Sequence, residues 1–219
     1  VGAFGGGICV PLALGKPPGP FGNDAVVTSA LIAWWIAHRS PSDMGYKLLA
    51  PGGVAVLRLC VCVSFEVFRA NFICSMVLLA QSTLKPSLFA FPLWGPLLAG
   101  SMGGSFGQFL PFDKGLAPVE KGFNWIMLSA FTTALVFHLT MHCKQVAEAT
   151  WPLLSASGKP DETLARLGAI SFLAGVGVAQ ETVAGADWHP LKPITTALSQ
   201  LVPPVVHDGP SVSLKKKAS

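Results

Sequence analysis

Long stretches without charged side chains constrain this chain more than any other feature. Residues 86–112 contain no Asp, Glu, Lys or Arg, and this length exceeds the roughly 17–25 residues that a helix needs to cross a bilayer. Charged residues make up 12% of the whole chain, whereas soluble domains carry about 25%. The polar surface is too small to enclose a water-soluble globule, and a lipid-facing surface removes this difficulty.

The chain contains six apolar stretches that we predict to be membrane helices. They lie at 1–15, 21–37, 52–80, 86–112, 122–141 and 163–183. The first starts inside an apolar segment and without Met, so we expect an upstream helix to be missing. These stretches predict an all-α polytopic membrane domain over 1–184, followed by a polar, Pro-rich and disordered tail over 185–219.

The distribution of Lys and Arg between the predicted loops indicates the orientation in the membrane. Loops on one side carry eight of these residues and loops on the other side carry four. Cytosolic loops carry the excess of positive charge in membrane proteins. The richer side includes the C-terminus, which we therefore expect in the cytosol.

Two of the predicted spans contain glycine clusters, namely Gly5, Gly6 and Gly7 in the first span and Gly100, Gly103 and Gly104 in the fourth. An odd number of spans separates the clusters, so their helices should run in opposite directions. Paired Gly-interrupted helices in inverted repeats mark a substrate or ion path. We expect both helices to break at these glycines and to expose carbonyls that favour cations. The alternative is that the glycines only allow close helix packing.

The third predicted span carries Arg58, Glu66 and Arg69. At about 100° per residue, Arg69 lies about 20° from Arg58 around the helix and Glu66 about 80° from it, so all three share one face. Charges at membrane depth are costly and should face the protein interior, an aqueous path or lipid headgroups. Two interpretations stay open: a salt bridge that fixes helix packing, or a pore-side or lipid-phosphate site suited to the guanidinium fork.

The sequence offers little support for catalysis. It contains no phosphate-binding loop, no H-E-x-x-H and no C-x-x-C. His38, His138 and His142 lie near predicted helix ends and are expected at the membrane interface, not as ligands. We therefore expect no enzyme, no metal or other cofactor and no nucleic-acid partner.

Several motifs resemble, in order and spacing, the trimeric intracellular cation (TRIC) channels of animals. In that family a glycine triplet is followed by a proline pair and an Asn-containing loop. The resemblance is close over 1–70 and positional over 86–142. The motifs here are Phe4-Gly5-Gly6-Gly7-Ile8, Leu14-Gly15-Lys16-Pro17-Pro18, Pro20-Phe21-Gly22-Asn23-Asp24, Trp34-Trp35, Pro41-Ser42-Asp43, Glu66-Val67 with Arg69, and Gly100 to Gly104.

The resemblance implies two inverted three-helix repeats plus a final helix, with six spans visible here. It also implies a homotrimer with one pore per subunit, lined by the two glycine-bearing helices. Such a protein would lie in the endoplasmic or sarcoplasmic reticulum or the nuclear membrane. It would be a potassium channel whose counter-ion flux balances charge during calcium release. The alternative is a secondary transporter or lipid-handling protein on an inverted-repeat scaffold.

Two further positions bear on regulation and location. Phe65 stands where the family has a lysine, which together with the arginine matched by Arg69 binds a phosphoinositide headgroup in some members. Loss of that lysine weakens the expectation of a phosphoinositide ligand. Near the C-terminus, Lys216 and Lys217 resemble a di-lysine retrieval signal of endoplasmic-reticulum membrane proteins, which acts as an address and not as an anchor.

Overall fold

The computed structural model describes residues 4–50, 52–86, 88, 91–109, 124–143, 161–185 and 188–201. The regular elements in this part of the chain are helical, as the sequence predicts. The α-helices are α1 (Gly5–Ala13), α2 (Asp24–Arg39), α3 (Met44–Leu49), α4 (Ala55–Thr83), α5 (Trp94–Ser105), α6 (Trp125–His142), α7 (Glu162–Ala179) and α8 (Lys192–Leu201). A 3-10 turn, Phe106–Phe109, continues α5, and a π-helical turn, Gln180–Ala184, continues α7.

Three helices in the described ranges are long and apolar enough to cross a membrane: α4, α6, and α7 with its extension to Val183. They correspond to the third, fifth and sixth predicted spans and are consistent with a multi-pass membrane protein. The other three predicted spans contain helices of 9, 16 and 12 residues (α1, α2 and α5). These are shorter than a bilayer crossing needs, so helices long and apolar enough to span a membrane are found at three of the six predicted positions.

The core is a bundle of α4, α5, α6 and α7. Gly100 of α5 lies between Val77 of α4 and Ala134 of α6, and one turn later Gly104 lies between Ile73 and Ala130. This register makes α5 antiparallel to both neighbours. Small residues at the contacts let the helix backbones approach closely, which is the main source of packing attraction between helices in lipid.

Helix α7 closes the other side of α4. Arg58 near the start of α4 pairs with Glu181, whereas Arg166 near the start of α7 donates to the hydroxyl of Ser75 at 3.1 Å. The two helices are therefore antiparallel. Leu173 of α7 is buried in the common core.

Helix α1 packs outside this bundle against α4 and α5. Gly6 lies against Gly103, and Val10 belongs to a buried cluster with Met76 and Ala99. Helix α1 is therefore antiparallel to α5, which is the relative direction that the sequence predicts for the two glycine-bearing helices.

Asparagine begins a helix at two positions about 100 residues apart in the sequence. The side chain of Asn23 accepts hydrogen bonds from the amides of Ala25 and Val26, and that of Asn124 accepts one from Met127 at 3.0 Å. These are N-cap interactions, which satisfy amides that have no partner within the helix. Helix α2 itself has no buried residue.

The prediction of a disordered tail from residue 185 is wrong for its first part, because α8 lies within it. Pro193 is in the first turn, where its missing N–H removes no helical hydrogen bond, and apolar residues in this segment recur at helical spacing. Residues 202–219, with the predicted retrieval signal at Lys216 and Lys217, lie outside the described ranges.

We predict that Gly100→Ala destabilises the bundle by about 1–3 kcal/mol, because the added methyl group overpacks a full interface. A Cβ at this position would stand 2.8 Å from the Cβ of Ala134. The measurement is thermal unfolding of the detergent-solubilised protein. The matched control is Gly175→Ala in α7, where no atom lies within 4 Å of an added Cβ; equal melting temperatures for the two variants would contradict the packing assigned to Gly100.

Candidate functional site

A cavity of about 290 Å³ lies where α1, α4, α5 and the start of α6 meet. It brings together both glycine clusters and the charged face of α4, which are far apart in the sequence. Its lining includes Gly6, Gly103, Gly104, Arg69, Phe68 and Phe72. We call it the glycine cavity.

Contact between the two glycine clusters closes one side of this cavity. A Cβ added to Gly6 would lie 2.8 Å from the Cα of Gly103 and 2.9 Å from its carbonyl carbon. No side chain therefore fits between the two backbones, and glycine is required for this approach. Gly7 adjoins the contact through the ring of Phe72.

The expectation that the glycine-bearing helices break at their glycines is wrong for α5. Gly5, Gly6 and Gly7 form the first turn of α1, and α5 remains α-helical from Trp94 to Ser105 before it tightens into the 3-10 turn. The absence of a side chain is used for close approach, which is the packing alternative that the sequence left open. Gly100 lies in the bundle core away from the cavity lining.

Arg69 is the charged residue of the cavity, and it is only 4% exposed. Its Nε donates to the carbonyl of Gly104 at 3.0 Å, and its Nη2 donates to the carbonyl of Ile126 and to Ser129 Oγ at 2.6 Å. Its Nη1 donates to the carboxylate of Glu66 at 3.1 Å. The guanidinium thus connects α4 to the end of α5 and to the first turns of α6.

Glu66 compensates the charge of Arg69 one turn earlier on α4. Its side chain is 14% exposed, and it also borders α7, where a Cβ on Gly177 would lie 3.2 Å from its Cγ. The Glu66 carboxylate and the Arg69 guanidinium therefore form a hydrogen-bonded ion pair. This is the arrangement that makes a buried charge tolerable.

Arg58 does not join this pair, although the sequence places it on the same face of the helix. Its Nε pairs with the carboxylate of Glu181 at 2.9 Å, and both side chains are 33% exposed. The shared face is therefore divided: Arg58 binds α7 near one end of α4, while Arg69 points toward α5 and α6. The structure brings together two of the three predicted charged residues.

Ser129 is a site residue that the sequence interpretation missed. It is fully buried and its hydroxyl accepts a hydrogen bond from Arg69. One serine in an apolar helix carries no sequence signal, since its role depends on an arginine 60 residues earlier. Phe68 and Phe72, whose ring centroids are 6.0 Å apart, form an aromatic wall of the cavity. Their role likewise carries no signal in the sequence.

Residues 103–107 match the G-x-S-x-G spacing of hydrolase nucleophile elbows. Such an elbow needs a strand-to-helix turn that exposes the serine. Here Ser105 is the last residue of α5, and its hydroxyl donates to the carbonyl of Ser101 at 2.6 Å. The helix therefore uses this serine for a backbone contact, and the pattern has no elbow geometry.

Comparisons with known proteins do not assign this site. No family model matches the chain, and no curated protein or solved structure is significantly similar to it. In the described part of the chain, no group of three or more His, Cys, Asp or Glu side chains could hold a metal ion. The geometry of the glycine cavity and the motifs of the sequence are therefore the features that bear on function.

We predict that Arg69→Met destabilises the protein by about 3–5 kcal/mol, because it leaves the Glu66 carboxylate buried without its partner. Arg58→Met is the matched control on the same helix, and we expect it to cost about 0–1 kcal/mol, since its ion pair is partly exposed. Chemical denaturation of the purified protein measures both. Equal losses in the two variants would show that Arg69 does not organise the bundle.

Proposed function

We propose that this chain forms a monovalent-cation channel of an intracellular membrane and that potassium is a permeant ion. The path we propose runs through the glycine cavity. The resemblance to TRIC channels supplies the physiological role in this proposal, which is counter-ion flux during calcium release.

The single observation that carries the proposal is the cavity itself. It joins two antiparallel glycine-bearing helices beside a compensated Arg69–Glu66 pair, inside a bundle of apolar helices. Because the pair has no net charge, a cation entering the cavity meets no unpaired positive residue there. The Gly6 face of α1 opposes the Gly103 carbonyl, and carbonyl dipoles are groups that replace the hydration shell of cations.

The Gly6–Gly103 contact supports a closed state in this proposal. No side chains interlock across it, so α1 separates from α5 without a rotamer change at that point. Opening then consists of a small displacement of α1, the outer helix of the group. Helix shifts of this kind are a common form of switching in proteins.

Membrane architecture belongs to the same proposal. We propose six spans arranged as inverted repeats, with a cytosolic C-terminus and assembly into a homotrimer. The antiparallel arrangement of α1 and α5 and the repeated Asn caps of α2 and α6 support the repeat. The exposed apolar residues of α2, including Leu31 and Trp35, support its location against lipid or another subunit.

We further propose that conduction does not require a phosphoinositide. Phe65 lines the cavity and is 56% exposed, so the position of the family's lysine supplies no charge for a phosphate. Arg69 already donates to Gly104, Ile126, Ser129 and Glu66. A headgroup phosphate would have to break these hydrogen bonds.

The second candidate function is a secondary transporter or a lipid-handling protein on the same scaffold. The observation that favours it is a second cavity of about 220 Å³, largely apolar in its lining, between α6 and α7. Its lining includes Phe137 and Phe172 together with Thr133. A transporter shows saturable flux of one substrate, whereas a channel shows discrete single-channel currents that rise with voltage.

We predict that Gly103→Val abolishes potassium current, because its side chain would extend into the cavity. An added Cβ would meet Cγ of Met76 at 2.8 Å and the ring of Phe72, which lines the cavity, at 3.5 Å, so folding and insertion of the variant are verified before currents are compared. The measurement is current through planar bilayers that contain the purified protein in asymmetric potassium.

Gly22→Val is the control for this experiment, because nothing lies within 4 Å of a Cβ at Gly22, and we expect wild-type currents from it. Currents of unchanged amplitude in a correctly inserted Gly103→Val protein would remove the glycine cavity as the path. Saturable, voltage-independent flux from the wild-type protein would favour the transporter.

We predict that replacing Lys216 and Lys217 together by serine moves the protein from the endoplasmic reticulum to the cell surface. A di-lysine signal is read by a cytosolic receptor, so the same experiment tests the side of the C-terminus. Surface labelling of intact cells measures the change, and Lys215→Ser is the control that should keep its intracellular location. Retention of the double variant would contradict the signal.

A further inference from the structure

Two histidines lie on one face at the end of α6, remote from the glycine cavity. His138 and His142 are one helical turn apart, and their ring centroids are separated by 4.8 Å. Phe91, which precedes α5, packs against both rings, with centroid distances of 5.4 Å to His138 and 4.4 Å to His142. The three rings form a compact cluster between α6 and the segment that enters α5.

The ring nitrogens of this cluster lack partners. His138 is completely buried, and neither of its nitrogens makes a hydrogen bond to any described residue, although the backbone of Pro92 lies near the ring. The Nε2 atom of His142 is also buried and without a partner. Buried polar atoms are normally hydrogen-bonded, and an exception indicates a missing water or ion. His138 therefore faces the protein interior near the end of α6.

The chemistry of these atoms selects the class of ligand. A neutral imidazole nitrogen is the commonest protein ligand for transition metals such as Zn²⁺ and Cu⁺, whereas K⁺, Mg²⁺ and Ca²⁺ prefer oxygen. Two histidines at positions i and i+4 of one helix, with three residues between them, are also the pair that binds zinc in metalloprotease helices.

The end of the helix adds to this preference. His142 is the last residue of α6, where the unpaired carbonyls of the final turn carry a partial negative charge. Phe91 stacks on the His142 ring with an interplanar angle of 8°. A stacked ring covers the face of the imidazole and leaves its in-plane nitrogen lone pair available.

We propose that His138 and His142 form a binding site for a transition-metal ion of the Zn²⁺ class at the C-terminal end of α6. The described residues supply no third His, Cys, Asp or Glu ligand, so water would complete the coordination from the side of His142, which is half-buried, and not from the side of the fully buried His138. An ion held there would fix the end of α6 beside the segment that leads into α5. The inference does not depend on ion conduction, since it uses none of the residues of the glycine cavity.

Titration of the purified, metal-free full chain with ZnCl₂, followed by calorimetry, tests this proposal. We expect one Zn²⁺ per chain. In the His142→Phe variant, which keeps an aromatic ring beside Phe91 but removes a ligand, we expect zinc to bind roughly tenfold more weakly or worse. A tenfold change in affinity corresponds to about 1.4 kcal/mol of binding free energy. X-ray absorption at the zinc edge should show imidazole ligands in the wild type. His38→Phe, at an exposed ring on α2, is the control and should bind like the wild type.

His138→Phe is the second variant, and we expect it to weaken zinc binding as His142→Phe does. His142 is the less buried of the two residues. Its variant therefore keeps the test valid if replacement of His138 disturbs folding. Zinc binding of unchanged affinity in the His142→Phe protein, or no binding up to roughly 1 mM, a level that corresponds to about −4 kcal/mol, would overturn the proposal. Loss of zinc binding with unchanged bilayer currents would still support the site.

Discussion

A buried guanidinium determines how the helices of this protein fit together. Arg69 is only 4% exposed, and an unpaired charge in an apolar bundle is far more costly than an unpaired polar group. Its neighbours on three helices must therefore present acceptors at fixed positions. Gly104 offers a carbonyl at the end of α5, Ile126 and Ser129 offer oxygens on α6, and Glu66 compensates the charge. The same requirement places the end of α5 beside α1, where the glycine cavity lies.

Glycine has two roles in the helices around Arg69. Gly100 and Gly104 have no space for a side chain because α4 and α6 lie on either side of them, and they let α5 pack closely between these two helices. Gly6 and Gly103 instead bring two helices into contact at a cavity, so the interface that seals the cavity lacks side chains. Close packing and a candidate ion path are therefore compatible in one structure, provided that α1 moves relative to α5.

The two candidate sites lie toward opposite ends of α5. The glycine cavity borders its C-terminal turns and the first turns of α6, whereas the histidine pair lies near the last turn of α6 and the segment before α5. Helices α5 and α6 are antiparallel and connect both sites. A metal ion at the histidines would act on the same two helices that Arg69 joins at their other end.

The sequence by itself determined the helical class, the positions of α4, α6 and α7, and the opposed directions of α1 and α5, because apolar length and the count of intervening spans depend only on the order of residues. It also singled out Arg69, Glu66 and the glycines, since charges and glycine clusters are conspicuous in apolar helices. Tertiary structure decided which of these meet. It paired Arg58 with Glu181, placed Ser129 against Arg69, packed the glycines of α5 against α4 and α6, and buried His138. Each of these depends on residues of another part of the chain, and such contacts are set by three-dimensional packing that no local pattern encodes.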